Sequence, residues 1–184
     1  QIEGALKEIG FREVHEVASG ADVGAATEAH HYVEEVVPGK LPFLLTSCCP
    51  SWAMLAKKQF PQLIGEVSQA LTPMVATARR IKQKSPQARV VFIGPCAAKK
   101  LEASRESVRS DVDFVITFEE LAGMFDAKNI DFSKYEKGVG IHEATGAGRG
   151  YACAGGVAAA IKQCVDAYYP GVEVKIEHAE GLDS

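Results

Sequence analysis

The sequence lacks the cysteine and histidine spacings that usually hold a structural zinc ion. Its five cysteines and five histidines include neither a C-x-x-C pair nor an H-x-x-x-H pair, so a zinc site is weakly supported. A disulfide framework is also disfavoured, because five cysteines are an odd and sparse count for 184 residues and no leader-like segment precedes them.

Long apolar runs and an excess of positive charge are missing as well. No run approaches the roughly 20 residues of a transmembrane helix, and no charged-then-apolar leader is present. Lys and Arg together number 20 against 24 Asp and Glu, a net charge of −4, which argues against nucleic acid as a partner. We therefore expect a cytoplasmic protein with no membrane partner, and the 47% of hydrophobic residues suffices for one sizeable core.

Short apolar segments alternate with helical patterns along the chain. Strands are predicted at 13–17, 42–46, 89–93, 114–117 and 172–176, and helices at 21–37, 51–60, 74–84, 118–125 and 157–168. Such alternation favours parallel strands with right-handed crossovers. We expect an α/β fold, with a parallel sheet flanked by helices in doubly wound, Rossmann-like lobes. The weakly patterned stretch 129–140 predicts a long surface loop or a lobe junction.

Two adjacent thiols lie where a predicted strand ends and a helix begins, in the segment TSCCPSW at 46–52. Pro50 suits the first turn of that helix, so Cys49 is predicted at its N-terminus. Free N–H groups and the helix dipole favour a thiolate there, the form that binds iron or zinc. The alternative is one inert buried thiol beside one exposed thiol.

The same construction occurs a second time. A strand at 89–93 is followed by the turn Gly94–Pro95, and Cys96 is predicted to open a helix. On one parallel sheet both motifs would bring their thiols to the carboxyl ends of the strands, the edge where such sheets bind ligands. Lys99 and Lys100 put positive charge where the helix dipole does not favour it. An anionic ligand would explain them, and an ordinary solvated helix face is the alternative.

Both motifs resemble signatures of the iron-only hydrogenases. TSCCPSW is similar to the first signature of that family, and GPCAAKKLE at 94–102 is similar to the second. Their occurrence in this order is specific. Segments at 71–73, 111–117, 119–121 and 146–157 also look like parts of the catalytic domain, so the resemblance covers nearly the whole chain.

The resemblance implies a [4Fe–4S] cubane joined through a cysteine sulfur to a two-iron centre with CO and CN ligands. By motif match, Cys49 and Cys96 are cubane ligands, and Cys48 is the thiol that passes protons to and from the two-iron centre. Lys99 matches a lysine that hydrogen-bonds a cyanide ligand, and Pro73 matches a proline that walls the site. The implied activity is reversible formation of H2 from protons and electrons. A ferredoxin-type protein or in-chain iron–sulfur domains would exchange the electrons.

Glu28 matches a glutamate of the family's proton path, and His31 stands where the family commonly has a second glutamate. Three residues apart on a predicted helix, the two would share a face. Both can relay protons near neutral pH if the glutamate is partly buried. A solvated helix face is the alternative for both residues.

Some positions depart from the family's usual pattern. Gly94 stands where well-studied members have methionine, and Met74 follows Pro73 where a polar residue is usual. Tyr151 stands where the family typically has phenylalanine. Tyr151 and Glu102, the latter in the second signature, are expected to bind the cofactor together with Lys99 and Pro73. Because the ligands themselves are kept, we expect a divergent member of the family, either slow or sensory.

The family's third signature, which supplies the other two cubane thiolates, has no match in the chain. Cys153 lies in a glycine-rich segment where the family has a non-ligand residue, and we expect Cys164 to be a packing residue. We interpret 1–184 as a fragment of the catalytic domain, with both ends cut. The fragment alone is expected to fold without a bound cofactor, to be inactive, and to self-associate through uncovered apolar surface.

Other function classes remain open at this point. A non-catalytic cytosolic iron–sulfur assembly protein of the same superfamily would keep a motif like the second one, although the thiol of Cys48 favours a hydrogenase. The segment GAGRG at 146–150 resembles a phosphate-binding loop, but its third glycine comes one place early and no convincing strand precedes it. A cofactor-free interaction module is the third possibility.

Overall fold

A computed structural model describes residues 1–135 and 142–177 of the chain. The chain forms two compact units, which are described separately. The first, here called the sheet unit, consists of Gln1–Val17 and Thr77–Glu143. The second, the helical unit, consists of Ala18–Ala76 and Ala144–Ser184.

The sheet unit is built around two short parallel strands. Strand β1 (Val91–Ile93) pairs with β2 (Phe114–Ile116) in register from Val91 opposite Phe114 to Ile93 opposite Ile116. The α-helices of this part of the chain are α1 (Ile2–Glu8), α4 (Pro73–Lys84, in this unit from Thr77), α5 (Ala98–Ala103) and α6 (Phe118–Ala127). A single-turn 3₁₀ segment follows at Phe132–Lys134.

Apolar residues from α1, α6 and both strands form the core of the sheet unit. Ala5 and Leu6 of α1 pack with Leu121 and Phe125 of α6. The partly buried residues packed against them are Ile9, Phe11, Val14, Ile93, Ile116, Ile130 and Tyr135. Helix α6 begins directly after β2 because Thr117 and Glu120 form a capping box, in which each side chain accepts a hydrogen bond from the other residue's backbone N–H.

The helical unit contains α2 (Ala18–His31), α3 (Pro50–Gln59), α7 (Gly146–Gly150) and α8 (Gly156–Tyr168). Helix α2 runs on into a π-helical segment at Tyr32–Val36, and a 3₁₀ segment occupies Pro61–Glu66. Its core joins α2 and α8 through Ala29, Ile161 and Val165. An isolated parallel bridge pairs Leu45 with Val67.

The expected fold class is confirmed as a helix-rich α/β chain with a small parallel sheet. All five predicted helices are present, each with bounds within a few residues of the prediction. No helix in the described part of the chain is both long and apolar enough to cross a bilayer. The predicted loop or junction at 129–140 lies partly outside the described residues and stays a prediction.

Three of the five predicted strands are wrong as stated. Residues 13–17 and 172–176 make no ladder, and of 42–46 only Leu45 pairs, with Val67. The apolar pattern of these segments has another cause. Phe11 and Val14 pack on the core of the sheet unit, and Val172 and Val174 pack on the core of the helical unit. Burial in an extended loop thus produced the same apolar pattern as a strand. The two cysteine motifs therefore do not follow strands of one sheet in the described residues.

Candidate functional site

The first cysteine motif has the predicted helix start, but of the strand predicted before it only Leu45 is paired. Cys49 is the N-cap of α3, in extended backbone conformation, and its Sγ accepts a hydrogen bond from Trp52 N–H at 3.5 Å. Pro50 is the first helical residue. The thiol of Cys49 is exposed and Cys48 is half-buried. A sulfur in this position faces the positive end of a helix.

The backbone on the other side of the motif is fixed by the segment around Val67. Leu45 N–H donates to Glu66 O, and Ser68 N–H donates to Leu45 O, both at 2.8 Å. Ser47 Oγ donates to Ser68 O at 2.7 Å. These bonds hold the residue before Cys48 against Ser68, which is itself only 1% exposed.

Glu28 is a buried carboxyl group on α2, with 5% of its surface exposed. It is hydrogen-bonded to the side chain of Ser68. Because Ser68 Oγ accepts from Ala70 N–H at 3.1 Å, its own proton is available for Glu28. The Oε2 atom of Glu28 is buried and has no hydrogen-bond partner among the described residues. Burial raises the pKa of Glu28, and this outweighs the lowering by Ser68 and by the charge of His31.

His31 is half-buried and close enough to Glu28 to lower its pKa, as their predicted shared helix face requires. The neighbouring His30 has different partners. Its Nδ1 lies 2.8 Å from Tyr169 Oη, and its Nε2 lies 3.2 Å from Glu34 Oε1. Of the two histidines, His31 is therefore the one associated with the buried carboxyl group.

Tyr151 lies near the same group. A Cβ atom at Gly24, one turn before Glu28 on α2, would lie 3.6 Å from Tyr151 Oη. Burial raises the pKa of Tyr151, and four neighbouring groups that can be negative raise it further. The hydroxyl therefore stays protonated and can serve as a donor. In decreasing order of effect the four groups are Cys48, Glu28, Cys164 and Asp22.

The helical unit thus brings Cys48, Glu28, His31 and Tyr151 into one neighbourhood. Sequence reasoning missed Ser68, which links the buried carboxyl group to the first cysteine motif. Its local sequence, VSQALTP, carries no chemical signal. Only the pairing of Leu45 with Val67 would have pointed to it.

Pro73 is the first residue of α4 and is half-buried. The preceding Thr72 accepts a hydrogen bond from Val75 N–H at its Oγ1, at 3.4 Å. Met74, where the family usually has a polar residue, is 3% exposed. The methionine is therefore a core residue here.

The second cysteine motif follows β1, as predicted, but Cys96 does not open the helix. Helix α5 begins at Ala98. Cys96 instead accepts a hydrogen bond from Lys99 N–H at its carbonyl oxygen, at 3.1 Å, in a turn that leads into α5. Its thiol is half-buried. The turn Gly94–Pro95 separates the thiol from the end of the strand.

Both lysines of this motif are paired within the chain. Lys99 Nζ lies 2.7 Å from Glu102 Oε2, with only 8% and 3% of the two residues exposed. A buried charge is tolerated when it is paired in this way. Lys100 pairs with Glu120 of α6. Each of the two lysines thus has a glutamate as an ion-pair partner.

The glycine-rich segment serves helix packing. Thr145 caps α7, and its N–H and Oγ1 bond the carboxylate of Asp22 at 2.8 and 2.5 Å. A Cβ atom at Gly148 would lie 2.4 Å from Ala18 O. The glycine lets α7 approach α2 closely, and Asp22 occupies donors that a phosphate would need, which argues against a nucleotide loop.

The remaining cysteines differ in their surroundings. All five cysteines are thiols, with no disulfide. Cys164 packs on the core of the helical unit, as predicted, and burial raises its pKa. Cys153 is exposed.

Cys49 and Cys96 have the chemistry of cluster ligands. Each is an accessible or half-buried thiol at the start of a helix or of the turn that leads into one. The described residues contain no group of three or more His, Cys, Asp or Glu side chains placed to hold a metal ion. A cubane takes four protein thiolates. Each thiol, taken by itself, thus fits as one member of such a ligand set.

The chain is similar to both hydrogenases and iron–sulfur assembly factors. It is 32% identical over 169 residues to iron hydrogenase 1 of Clostridium pasteurianum, covering 83% of this chain and 29% of the relative. It is 32% identical over 170 residues to the periplasmic [Fe] hydrogenase large subunit of Nitratidesulfovibrio vulgaris, covering 83% of this chain and 40% of the relative. It is 38% identical over 103 residues to the cytosolic Fe-S cluster assembly factor NAR1 of Kluyveromyces lactis, covering 56% and 22%.

Among solved structures, an apo form of [FeFe]-hydrogenase HydA1 from Chlamydomonas reinhardtii matches with a TM-score of 0.72 at 27% identity. The match covers 98% of this chain and 50% of that one. The chain thus spans 29%, 40% and 22% of the three relatives and half of the solved structure. A family model described as the iron only hydrogenase large subunit, C-terminal domain, matches residues 1–183, and the chain belongs to that family.

Proposed function

We propose that the chain is part of an iron-only hydrogenase whose full-length form interconverts two protons and two electrons with H2. We further propose that Glu28, Cys48 and His31 carry protons in that reaction. The observation that carries the proposal is the buried Glu28, whose Ser68 partner is bonded to the first cysteine motif. A buried carboxyl oxygen without a partner among the described residues calls for an explanation, and for Glu28 a proton relay supplies one.

The surroundings of Glu28 suit proton transfer. A relay group works best when its pKa lies near the working pH, and burial moves the pKa of Glu28 in that direction. The Ser68 hydroxyl can donate a proton while it accepts another. The order we propose runs from Cys48, next to the cluster ligand Cys49, to Glu28 and then to His31. The two ring nitrogens of His31 can accept a proton on one side and donate one on the other.

The residues expected around the cofactor can be assigned roles of their own. When bound, the two-iron centre would supply the place where protons and electrons combine. Cys49 and Cys96 would hold the cubane as two of its thiolates, with the other two expected from the family's third signature. Glu102 positions Lys99 as a buried donor, and Pro73 and Tyr151 would form walls of the site.

The test compares two glutamates of the helical unit in the matured full-length protein. Glu28→Gln keeps the shape of the side chain but removes its titration, so hydrogen evolution should fall by roughly 10²–10⁴. Glu66→Gln is the matched control, because Glu66 also has a buried Oε2 atom with no partner among the described residues. Equal activities of the two variants, at equal iron content, would contradict the relay.

A role in cytosolic iron–sulfur assembly is the second candidate. The observation in its favour is the 38% identity to NAR1, which is higher than the identity to the two hydrogenases but covers fewer residues. A thiol at Cys48 is not needed without hydrogen chemistry. A matured full-length protein that holds its iron–sulfur clusters and yet evolves no H2 would favour the assembly role.

The setting of the full-length protein is also a proposal. We propose a cytoplasmic location, with a ferredoxin-type protein or in-chain iron–sulfur domains as the electron partner. Its hydrogenase relatives include one described as periplasmic and its assembly relatives are described as cytosolic, so fractionation of cells that produce the protein is the direct measurement. The replacements Gly94, Met74 and Tyr151 support a divergent or sensory member of the family.

A further inference from the structure

The space beside Gly94, two residues before Cys96, is occupied by a neighbouring aromatic ring. The backbone there does not have the positive φ that makes glycine necessary at Gly10, Gly39, Gly155 and Gly171. A Cβ atom at position 94 would instead lie 2.8 Å from both Cε1 and Cζ of Phe92. Any side chain at position 94 would collide with that ring in its present place.

The direction of this contact is fixed by the sheet. Gly94 N–H donates to Ile116 O at 3.1 Å, so the pairing of β1 with β2 continues one residue beyond β1. Residues 92 and 94 therefore project to the same face of the sheet. Gly94 is buried and Phe92 is half-buried. The ring covers the backbone of Gly94 at the carboxyl end of the strand.

We propose that Phe92 is a positioning residue for Cys96. Its ring occupies the place of a side chain at position 94 and holds the turn Gly94–Pro95 that carries the thiol. The proposal concerns how Cys96 is held, and its functional meaning rests on the proposed role of Cys96 as a cluster ligand.

The reasoning extends from packing to the thiol through one short segment. Cys96 is joined to the strand only by Gly94 and Pro95, and on its other side its carbonyl oxygen bonds Lys99 N–H. Lys99 in turn is buried in its pair with Glu102. The turn is therefore held at its helix end by an ion pair and at its strand end by the Phe92 ring. Loss of the ring leaves the strand end unpacked, and local opening of the turn becomes more frequent.

The test measures the reactivity of Cys96 in the full-length protein without its cofactor. An uncharged maleimide is added, and mass spectrometry gives the alkylation rate of Cys96 relative to that of the exposed Cys153. Phe92→Ala should raise this ratio at least about threefold, the size of effect expected when contacting residues are uncoupled. Phe114→Ala is the matched control, since it removes an exposed ring, 60% accessible, from the neighbouring strand.

A double variant separates positioning from a general loss of stability. Gly94→Met alone should displace the ring and also raise the ratio. Gly94→Met combined with Phe92→Ala lets the new side chain fill the vacated space, so the ratio should return toward the wild-type value. If Phe92→Ala does not fold, Phe92→Leu is measured in its place. An effect of Phe92→Ala no larger than that of Phe114→Ala, or single effects that simply add in the double variant, would overturn the proposal.

The same set of proteins keeps the two hypotheses apart. The iron content of Cys96→Ala after anaerobic reconstitution tests whether Cys96 is a ligand. An iron content equal to that of the wild type would refute that role, and the alkylation result would remain valid. If Cys96 is a ligand, Phe92→Ala should also change the electron paramagnetic resonance spectrum of the reduced cluster. Phe114→Ala should leave that spectrum unchanged.

Discussion

Residues of one type have different roles in this chain because their surroundings differ. Cys49 is an exposed thiol that accepts a hydrogen bond at a helix N-terminus, whereas burial in an apolar core raises the pKa of Cys164. Lys99 is buried against Glu102, while Lys100 is exposed and pairs with Glu120. Motif matching assigns such residues by position in the sequence, but burial and partners decide what each can do.

Cys48→Ser should separate proton transfer from cofactor binding. A hydroxyl is far less acidic than a thiol, so the variant should keep most of its iron while hydrogen evolution falls by orders of magnitude. Iron content and hydrogen evolution of the matured full-length protein are measured together. Loss of the whole cofactor, with no separate kinetic effect, would show that Cys48 is structural.

The chemistry of the site was more predictable than its internal contacts. The sequence motifs placed Cys49 at a helix N-terminus and Glu28 on one helix face with His31, and the structure agrees. The burial of Glu28 was left open by the sequence and is a finding of the structure. The link through Ser68 was not predictable, because it depends on the pairing of Leu45 with Val67 across a non-local contact. The pairing of Lys99 with Glu102 was foreseeable, since residues three apart on a helix are neighbours.

Helices were predicted more accurately than strands, for a physical reason. A helix satisfies its backbone hydrogen bonds locally, so its apolar period and its caps are visible in a single segment. Strands need partners elsewhere in the chain, and an apolar loop packed on a core looks the same in sequence. The segment 172–176 shows this, since Val172 and Val174 pack on the core of the helical unit without joining a sheet.

The contact between α7 and α2 should tolerate no side chain at position 148. Gly148→Ala would place a Cβ atom 2.4 Å from Ala18 O, a clash that should destabilise the helical unit by about 1–3 kcal/mol. Gly146→Ala is the control, because nothing lies within 4 Å of a Cβ atom there. Urea unfolding followed by circular dichroism gives both values. Equal stabilities would show that α7 can shift away from α2 at little cost.

At the scale of the whole molecule, exposed apolar side chains predict self-association of the chain 1–184. In the sheet unit Leu101, Phe114 and Phe118 are 58%, 60% and 53% exposed, and exposed apolar surface favours association when it forms a contiguous patch. Sedimentation velocity over a range of concentrations should show species larger than the monomer. Phe114→Ser combined with Phe118→Ser should shift the distribution toward the monomer, and a chain that stays monomeric at high concentration would contradict this expectation.

Two carboxyl groups, one in each unit, should give the stability of the chain opposite dependences on pH. Burial alone would raise the pKa of Asp113, but hydrogen bonds from Lys82, Val90 N–H and Arg89 prevail and lower it from 3.8 to about 2. A carboxyl group with a lowered pKa stabilises the fold above its unfolded pKa, and this stabilisation is lost as the pH falls from about 4 toward 2. The shift corresponds to about 2 kcal/mol. Glu28 behaves in the opposite sense, because its raised pKa makes the folded state less stable as the pH rises past its ordinary value of 4.5.

Variants at these two positions should therefore flatten different limbs of the pH–stability curve. Asp113→Asn should lower the free energy of unfolding at pH 7 by about 2 kcal/mol and make the loss between pH 4 and 2 smaller by the same amount. Glu28→Gln should leave that acid limb intact and remove the decrease at higher pH, because the glutamine stays neutral throughout. Urea unfolding from pH 2.5 to 8 checks both, with hydrogen exchange to assign each change to its unit. If the stability of Asp113→Asn depends on pH between 4 and 2 as strongly as that of the wild type, the three hydrogen bonds to Asp113 do not offset the desolvation of its carboxylate.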